Sequence, residues 1–373
     1  MQIINATRMT CDYTLGMESS GRELLVVAIK GTFAIPSQDG ALLRLHEEQE
    51  PLLTSDTFHG EPGLSAPRYE ADFSPRKPNC DVLLNASAYA PEGRPVERVE
   101  VAASVGAWRK AFAVTGDRVW NARGGIRATT RPQPFTTMPI TYDRAFGGTD
   151  ARHEDSAEHA AYMRNPSGRG FHKHLREEWV HGSPLPNTEE IVRPIVRPDA
   201  DYAPMGFGPI ARHWEPRYRH AGTYDEQWLQ HVAPFLPADF DDRFYQAAPT
   251  DQQLPTPLGE QEITLLNLTP GGRCTFRLPH LQAPVHVFPK SGGREDLLAN
   301  LDTIVIEPDL GRVLLSWRVA RPLRRDLFEI AQVLVGRKGR EWWQQREQVV
   351  FPLPVVMIPM RQRETTEPAG TNS

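Results

Sequence analysis

The sequence predicts a mainly β fold of the β-rich α+β class: antiparallel, sandwich-like sheets, a proline- and aromatic-rich loop region, and one C-terminal helix packed on a sheet. Short β-branched runs separated by turn residues fill the first and last thirds of the chain. The 34 prolines and 28 glycines among 373 residues are spread out and would interrupt long helices. In the middle third, aromatic residues gather beside proline and glycine while strand-like alternation fades.

Residues 1–131 are predicted to form an N-terminal antiparallel β unit. A β-branched run at residues 22–35 is followed by a proline, and a second run at residues 81–89 lies between two groups of turn residues. Residues 97–120 have the pattern of a meander of three short strands, because a glycine stands at each joint. Strands at this spacing are typical of an antiparallel sandwich or a barrel-like sheet.

Residues 132–257 are predicted to be a proline-, glycine- and aromatic-rich loop region with short helices. One helix is expected at residues 153–163, where alanine is frequent and an Asn-Pro pair follows. A second helix is expected to begin at Thr223, which forms a capping box with Glu226, and to end before Pro234. The remaining segments are expected to be ordered loops, since their aromatic content argues against disorder.

Residues 258–360 are predicted to form β-hairpins plus a helix, and residues 361–373 a flexible tail. Residues 303–307 and 312–320 flank the turn sequence PDLG and predict a hairpin. Farther on, apolar residues recur at helical spacing, and a glycine follows as the C-terminal cap. The residues on this predicted helical face are Leu327, Phe328, Ala331, Leu334 and Val335, followed by Gly336.

Charge and composition limit the classes of partner. The 42 basic and 47 acidic residues nearly balance, which argues against nucleic acid and membrane surfaces as partners. The N-terminus lacks the pattern of a secretory signal peptide, and no apolar run reaches 18 residues, so we expect a cytoplasmic protein. Cys11, Cys80 and Cys274 lie far apart in sequence and are expected to be reduced thiols.

One histidine-rich stretch invites a metal hypothesis. Residues 172–181 contain three histidines and two adjacent glutamates, but they lack the HExxH order of a zinc protease. A short, charged, solvated helix explains the same residues and is the favoured interpretation. Phosphate-binding glycine motifs are also absent from the sequence. The sequence therefore predicts no cofactor and no metal.

No pattern of nucleophilic catalysis is present. Ser167 lies in a turn sequence, NPSGRG, and no GxSxG motif occurs. We therefore expect a non-catalytic protein. Two alternatives stay open: a hydrolase that uses the middle loops as its active site, which would show convergent carboxylates or histidines, and a carbohydrate-binding module that uses Trp214 and Trp228 as a sugar platform.

The stretch TYDRAFGGTD at residues 141–150 combines site-like residues with two glycines. Gly147 and Gly148 permit positive φ or a close backbone approach, while Asp143 and Arg144 can orient the loop through hydrogen bonds and an ion pair. We therefore expect this stretch to shape a rigid, aromatic-rich surface. Near the C-terminus, Trp342-Trp343 beside basic residues is interpreted as structural instead of as a base-stacking platform.

A series of short motifs is spread over nearly the whole chain. The motifs are KGTF (30–33), KPNCDV (77–82), GDRVW (116–120), YDRAFGG (142–148), NPSGRGF (165–171), LPN (185–187), GFGPIARHW (206–214), GTYDEQWL (222–229) and AAPTDQQ (247–253). Taken together and in this order, they resemble a bacterial domain-of-unknown-function family whose members accompany type VI secretion genes. Because the resemblance is colinear, it is more specific than any single motif.

The resemblance implies a non-catalytic adaptor or chaperone. Such a protein would bind a secretion effector, its PAAR-like tip domain or the spike protein, and would help to load the effector onto the spike. Rigid aromatic residues are typical anchors of protein-binding surfaces. The residues that we predict as partner-binding anchors are Phe146, Phe171, Phe207, Trp214, Tyr224 and Trp228.

Overall fold

The computed structural model describes residues 1–124, 128–257 and 259–348. The chain divides into a large unit, Met1–Gly336, and a second unit that begins at Arg337. The mainly β class predicted from the sequence is confirmed. Within the described residues, the helices are all too short or too polar to cross a membrane.

The strands of the first half are mostly short. In chain order they are β1 (Gln2–Ala6), β2 (Thr10–Met17), β3 (Glu23–Ala34), β4 (Ala41–Leu42), β5 (Arg44–Leu45), β6 (Thr57–Phe58), β7 (Pro67–Tyr69) and β8 (Cys80–Leu84). They continue with β9 (Ala86–Tyr89), β10 (Arg98–Val105), β11 (Trp108–Thr115), β12 (Thr137–Ile140), β13 (Phe146–Gly147), β14 (Thr149–Asp150), β15 (Ala160–Ala161), β16 (Arg169–Gly170) and β17 (Thr188–Glu189).

The remaining strands follow β17 and include the longest strand, β22. They are β18 (Gln253–Leu254), β19 (Glu262–Leu266), β20 (Arg273–Arg277), β21 (Ala283–Pro289), β22 (Glu295–Glu307), β23 (Arg312–Pro322) and β24 (Ile330–Gly336). The α-helices are α1 (Glu177–Val180), α2 (Glu226–His231) and α3 (Arg340–Gln348). Short 3-10 turns connect many of these elements.

The larger sheet joins the two ends of the large unit. Its main path runs β1-β24-β21-β22-β23-β3-β2, and β5, β8 and β18 pair alongside this path. The end strands β1 and β2 follow one another in sequence, so the sheet nearly closes into a barrel. The long pairing of β3 with β23, from Leu24 opposite Pro322 to Ala34 opposite Arg312, ties the first third of the chain to the last.

A second sheet of six strands, in the order β17-β11-β10-β19-β20-β4, completes the framework. One continuous core cluster takes residues from both sheets, including Ile29 and Ile304 from the larger sheet and Val101 and Phe276 from the smaller. Along β10 the buried and exposed residues alternate at first, as expected for a strand with one face on the core. The two sheets therefore pack through their inner faces.

The helix predicted on the face of Leu327, Phe328, Ala331, Leu334 and Val335 is wrong. Residues Leu327–Glu329 form a 3-10 turn and Ile330–Gly336 form strand β24, which lies between β1 and β21. A strand paired on both sides buries a continuous apolar run, and such a run cannot be distinguished from a helical face by spacing alone. The C-terminal helix is α3, later in the chain and in the second unit.

Three smaller predictions also need correction. The helix expected at residues 153–163 is a 3-10 turn, Ser156–Glu158, followed by β15. The helix expected from Thr223 exists as α2, but Asp225 caps it instead of Thr223. The third meander strand is reduced to isolated bridges at Val119 and Trp120. In the first and third cases turns replace the expected regular structure, and in the second a side chain two residues farther on supplies the cap.

Candidate functional site

The stretch at residues 141–150 interlocks with the NPSGRGF loop. Asn165 donates from Nδ2 to the carbonyl oxygens of Tyr142 (2.8 Å) and Phe146 (3.1 Å), and its own carbonyl accepts the amide of Gly148 at 2.9 Å. Gly147 has a φ of 150°, and a Cβ atom there would lie 2.1 Å from the Asn165 carbonyl oxygen. Only glycine fits this contact.

Gly147→Ala is expected to lower the free energy of unfolding by at least about 2 kcal/mol, because the new methyl group collides with backbone that cannot move aside. Gly208→Ala is the matched control, since a Cβ atom at Gly208 meets nothing within 4 Å. Urea denaturation of both variants measures the difference. Equal stability of the two variants would contradict the close packing of Gly147 against the Asn165 carbonyl.

Asp143 and Arg144 connect this stretch to other loops. The Asp143 carboxylate accepts the amide of Ala66 at 2.8 Å. Arg144 donates to the Asn187 side-chain oxygen at 3.0 Å, and Asn187 in turn donates to the carbonyl of Thr115 at 2.9 Å, at the end of β11. Asp143 thus fastens the stretch to the loop before β7, and Arg144 fastens it through Asn187 to the smaller sheet.

Three of the predicted surface anchors are core residues. Phe146, Phe207 and Trp214 are fully buried, so they cannot contact a partner and their prediction as anchors is wrong. Phe207 packs against Phe112 with ring centroids 4.6 Å apart. Phe171 is partly buried against Phe146. The burial of Trp214 also removes it from the sugar platform considered as an alternative.

The remaining two anchors, exposed Tyr224 and partly buried Trp228, belong to an apolar surface around α2. We call this surface, formed by Tyr224, Trp228, Leu229 and Phe235, the α2 face. Leu229 is 65% exposed, Tyr224 is 54% exposed and Phe235 is 43% exposed. The rings of Tyr224 and Trp228 contact each other at 4.7 Å between centroids. Clustered exposed apolar side chains of this kind mark interaction sites on protein surfaces.

The α2 face is held by hydrogen bonds on both sides of the helix. The Asp225 side chain caps α2 by accepting the amide of Trp228 at 2.8 Å, and the Trp228 indole donates to the carbonyl of Phe235 at 2.9 Å. Before the helix, Thr223 donates its amide (2.9 Å) and its hydroxyl (2.7 Å) to Asp239. These bonds fix the Trp228 ring and the backbone that carries the exposed side chains before any partner binds.

The surroundings of the α2 face are acidic. Residues 220–242 contain five carboxylates and neither lysine nor arginine; the carboxylates are Asp225, Glu226, Asp239, Asp241 and Asp242. A groove of about 530 Å³ runs beside this segment and is lined in part by Glu18, Leu236 and Phe240. Apolar side chains next to carboxylates match a partner surface that combines apolar and basic residues.

A buried ionic cluster lies on the other face of the larger sheet, outside the main core. Lys77 Nζ lies 2.6 Å from Asp81 and 3.0 Å from Glu70, and Arg318 lies 2.9 Å from Asp302. Burial acts to raise the pKa of Glu70, but Lys77 and nearby arginines outweigh it and lower the pKa to about 2. The cavity beside these side chains measures about 20 Å³, room for one water molecule. A substrate does not fit there.

A second buried polar group joins His172 and Ser183. His172 Nε2 lies 2.8 Å from Ser183 Oγ, and the Ser183 hydroxyl donates to the carbonyl of Val180 at 2.6 Å. Because the hydroxyl hydrogen is used in that bond, His172 donates to Ser183. This is the reverse of the proton transfer that a serine nucleophile needs. The arrangement therefore gives no support to the hydrolase alternative.

His172 makes stability depend on pH. Burial and the nearby Arg152 lower the pKa of His172 below its usual value, outweighing the opposite effect of Asp150. The unfolded chain therefore takes up a proton near pH 6.5 while the folded protein does so only at lower pH, so stability is lost as the pH falls below about 6.5. Between about pH 7 and 5, the free energy of unfolding measured by urea denaturation should fall less for His172→Gln than for wild type. His280→Gln, at an exposed position, is the control and should lose as much stability as wild type. If all three proteins lose the same free energy of unfolding over this pH range, His172 does not have this role.

The histidine-rich stretch does not form a metal site within residues 1–124, 128–257 and 259–348, where no three metal-ligating side chains converge. His174 stacks on His153 at 5.1 Å, and the ring of Trp179 meets both edge-on. Glu177 and Glu178 begin the four-residue helix α1, and His181 follows it. The stretch is mostly a short turn and helix at the surface.

Most of the large unit matches a known bacterial protein family. A family model described as "Uncharacterized protein conserved in bacteria (DUF2169)" matches residues 20–318. No curated protein and no solved structure matches the chain.

Proposed function

The chain belongs to the DUF2169 family of bacterial proteins, and from this membership and the exposed α2 face we propose that it is a non-catalytic adaptor or chaperone that binds another protein. From the resemblance of its motifs to proteins encoded with type VI secretion genes we infer the partner class: a secretion effector, its PAAR-like tip domain or the spike protein. In this role the protein binds its client and assists its loading onto the spike.

The single observation that carries the proposal is the α2 face. Its Tyr224, Leu229 and Phe235 side chains are exposed in the folded protein, whereas other aromatic residues of the loop region are buried in clusters of their own; these are Tyr142, Phe146, Tyr202 and Trp214. Exposing Leu229 and Tyr224 to water has a free-energy cost that a partner would recover by covering them. A preformed surface of this kind also loses little conformational entropy on binding.

The charges around the α2 face indicate which charge the contacting segment of the client should carry. Asp241 pairs with Arg243 at 2.5 Å and Asp242 lies 3.6 Å from Arg76. The carboxylates nearest the helix, Asp225, Glu226 and Asp239, repel an acidic partner and attract a basic one. We therefore expect the contacting segment of the client to carry apolar side chains flanked by arginine or lysine.

Co-expression tests the proposal. The tagged protein is produced together with the effector, PAAR-like and spike proteins encoded beside it, and bound proteins are identified after affinity and size-exclusion chromatography. We expect one of them to co-purify in a fixed ratio. Failure of all of them to form a complex, at low as well as physiological salt, would contradict the adaptor function.

A further inference from the structure

Two turns at one end of the larger sheet form a basic cleft. The first joins β21 to β22, the second joins β23 to β24, and the amide of Lys290 donates to the carbonyl of Glu329 at 2.8 Å to link them. The cleft between them measures about 590 Å³, and five cationic side chains and two carboxylates line it. The cationic residues are Lys290, Arg294, Arg321, Arg324 and Arg325.

Both carboxylates of the cleft are held by the same buried arginine. Arg321 is largely buried and holds Glu295 through two hydrogen bonds of 2.7 and 2.8 Å, and it also bonds Glu329. Glu329 accepts the backbone amides of Arg324 and Arg325, each at 3.0 Å. This network fixes the second turn and engages both carboxylates in hydrogen bonds within the protein.

The rim carries cations without ionic partners. Within the part of the chain that the structure describes, no carboxylate forms an ion pair with the side chain of Lys290, Arg324 or Arg325, and all three residues are exposed. Beside them stands Phe328, which is 72% exposed. The Asp326 side chain accepts the Phe328 amide at 2.8 Å, and Lys290 Nζ lies 5.9 Å from the centre of the ring.

We propose that this basic cleft binds an acidic segment of a protein partner, with carboxylates on the rim cations and an apolar side chain on Phe328. Arginine and lysine at a rim pair with carboxylates and steer an oppositely charged segment toward the cleft. The exposed phenylalanine favours a peptide over a free anion, since a free anion has no apolar group to bury against the ring. A single-stranded nucleic acid could stack a base on the same ring, so it is included as a competing outcome of the test. This site is separate from the α2 face and of opposite charge, so it does not depend on the proposed function.

Fluorescence anisotropy with a labelled peptide tests the cleft. The probe is a ten-residue peptide of glutamate and aspartate around one central phenylalanine, and its glutamine and asparagine counterpart is the neutral control. We expect the acidic peptide to bind the full-length protein at low salt, and we expect its affinity to fall as the salt concentration rises. Arg324→Glu/Arg325→Glu should weaken binding by at least about tenfold, and Phe328→Ala should weaken it without changing the salt dependence.

A control variant with two charges reversed away from the cleft separates loss of the binding site from the change in net charge. Arg273→Glu/Arg277→Glu changes two exposed arginines on β20 by the same amount and should leave binding of the acidic peptide within about twofold. Circular dichroism checks that both variants fold. Absence of binding, equal loss in the two double variants, or a single-stranded oligonucleotide of equal charge binding more tightly at the same arginines would each overturn the proposal.

Discussion

Lys77→Met is expected to lower the free energy of unfolding by about 3 to 5 kcal/mol, the usual cost of removing one partner from a buried ion pair. The ammonium group lies 2.6 Å from Asp81 and 3.0 Å from Glu70, and all three side chains are buried. Methionine fills the volume of the lysine stem but leaves the Asp81 carboxylate buried without its cation. Urea denaturation monitored by tryptophan fluorescence measures the loss.

Two further variants separate this effect from a general effect of losing a lysine. Lys173→Met removes a lysine whose partner, Glu158, lies at 2.9 Å in a solvent-exposed pair, and its cost should stay within about 1 kcal/mol. Lys77→Met/Asp81→Asn removes the charges on both sides and should recover part of the stability lost by Lys77→Met alone. If Lys77→Met costs no more than Lys173→Met, the ionic cluster does not stabilise the fold.

Leu229→Arg is expected to weaken client binding by about thirtyfold or more, which corresponds to about 2 kcal/mol, the scale of an interface hot spot. The arginine replaces the most exposed apolar side chain of the α2 face with a charge that the client would have to desolvate. Folding should be retained, because arginine is a good helix former and lies four residues after Asp225. Titration of the purified client by anisotropy or calorimetry measures the change.

Leu310→Arg serves as the matched control for this prediction. Leu310 is 54% exposed in the turn between β22 and β23, far along the chain from α2, and its replacement adds the same charge. It should bind the client within about twofold of wild type. If both variants bind equally well, or both lose binding to the same extent, the α2 face is not the site of recognition.

Much of the strand framework could be predicted because its signals are local. The β-branched run at residues 22–35 became β3, and the PDLG turn became a 3-10 turn with Gly311 in the left-handed region between β22 and β23. Such turn residues determine chain reversal regardless of distant contacts. The error at β24 has the opposite cause, since only its neighbours β1 and β21 decide that its apolar run is a strand.

The candidate sites depended more heavily on tertiary contacts. Composition marked the loop region as rich in aromatic residues, but it could not show that Phe146 and Trp214 form cores within the loops while Tyr224 and Leu229 stay exposed. The ionic cluster brings Lys77 to Arg318 and Asp302, more than half the chain away. The basic cleft likewise needs two separate turns. The spacing of residues along the sequence does not show which of these distant residues come into contact.

The most direct measurement is amide hydrogen exchange of the protein alone and saturated with its co-purified client. The adaptor function with recognition at the α2 face predicts slower exchange at residues 223–236 in the complex, with exchange at the turn of residues 308–311 unchanged. Unchanged exchange at residues 223–236, together with slower exchange elsewhere on the surface, would contradict recognition at the α2 face.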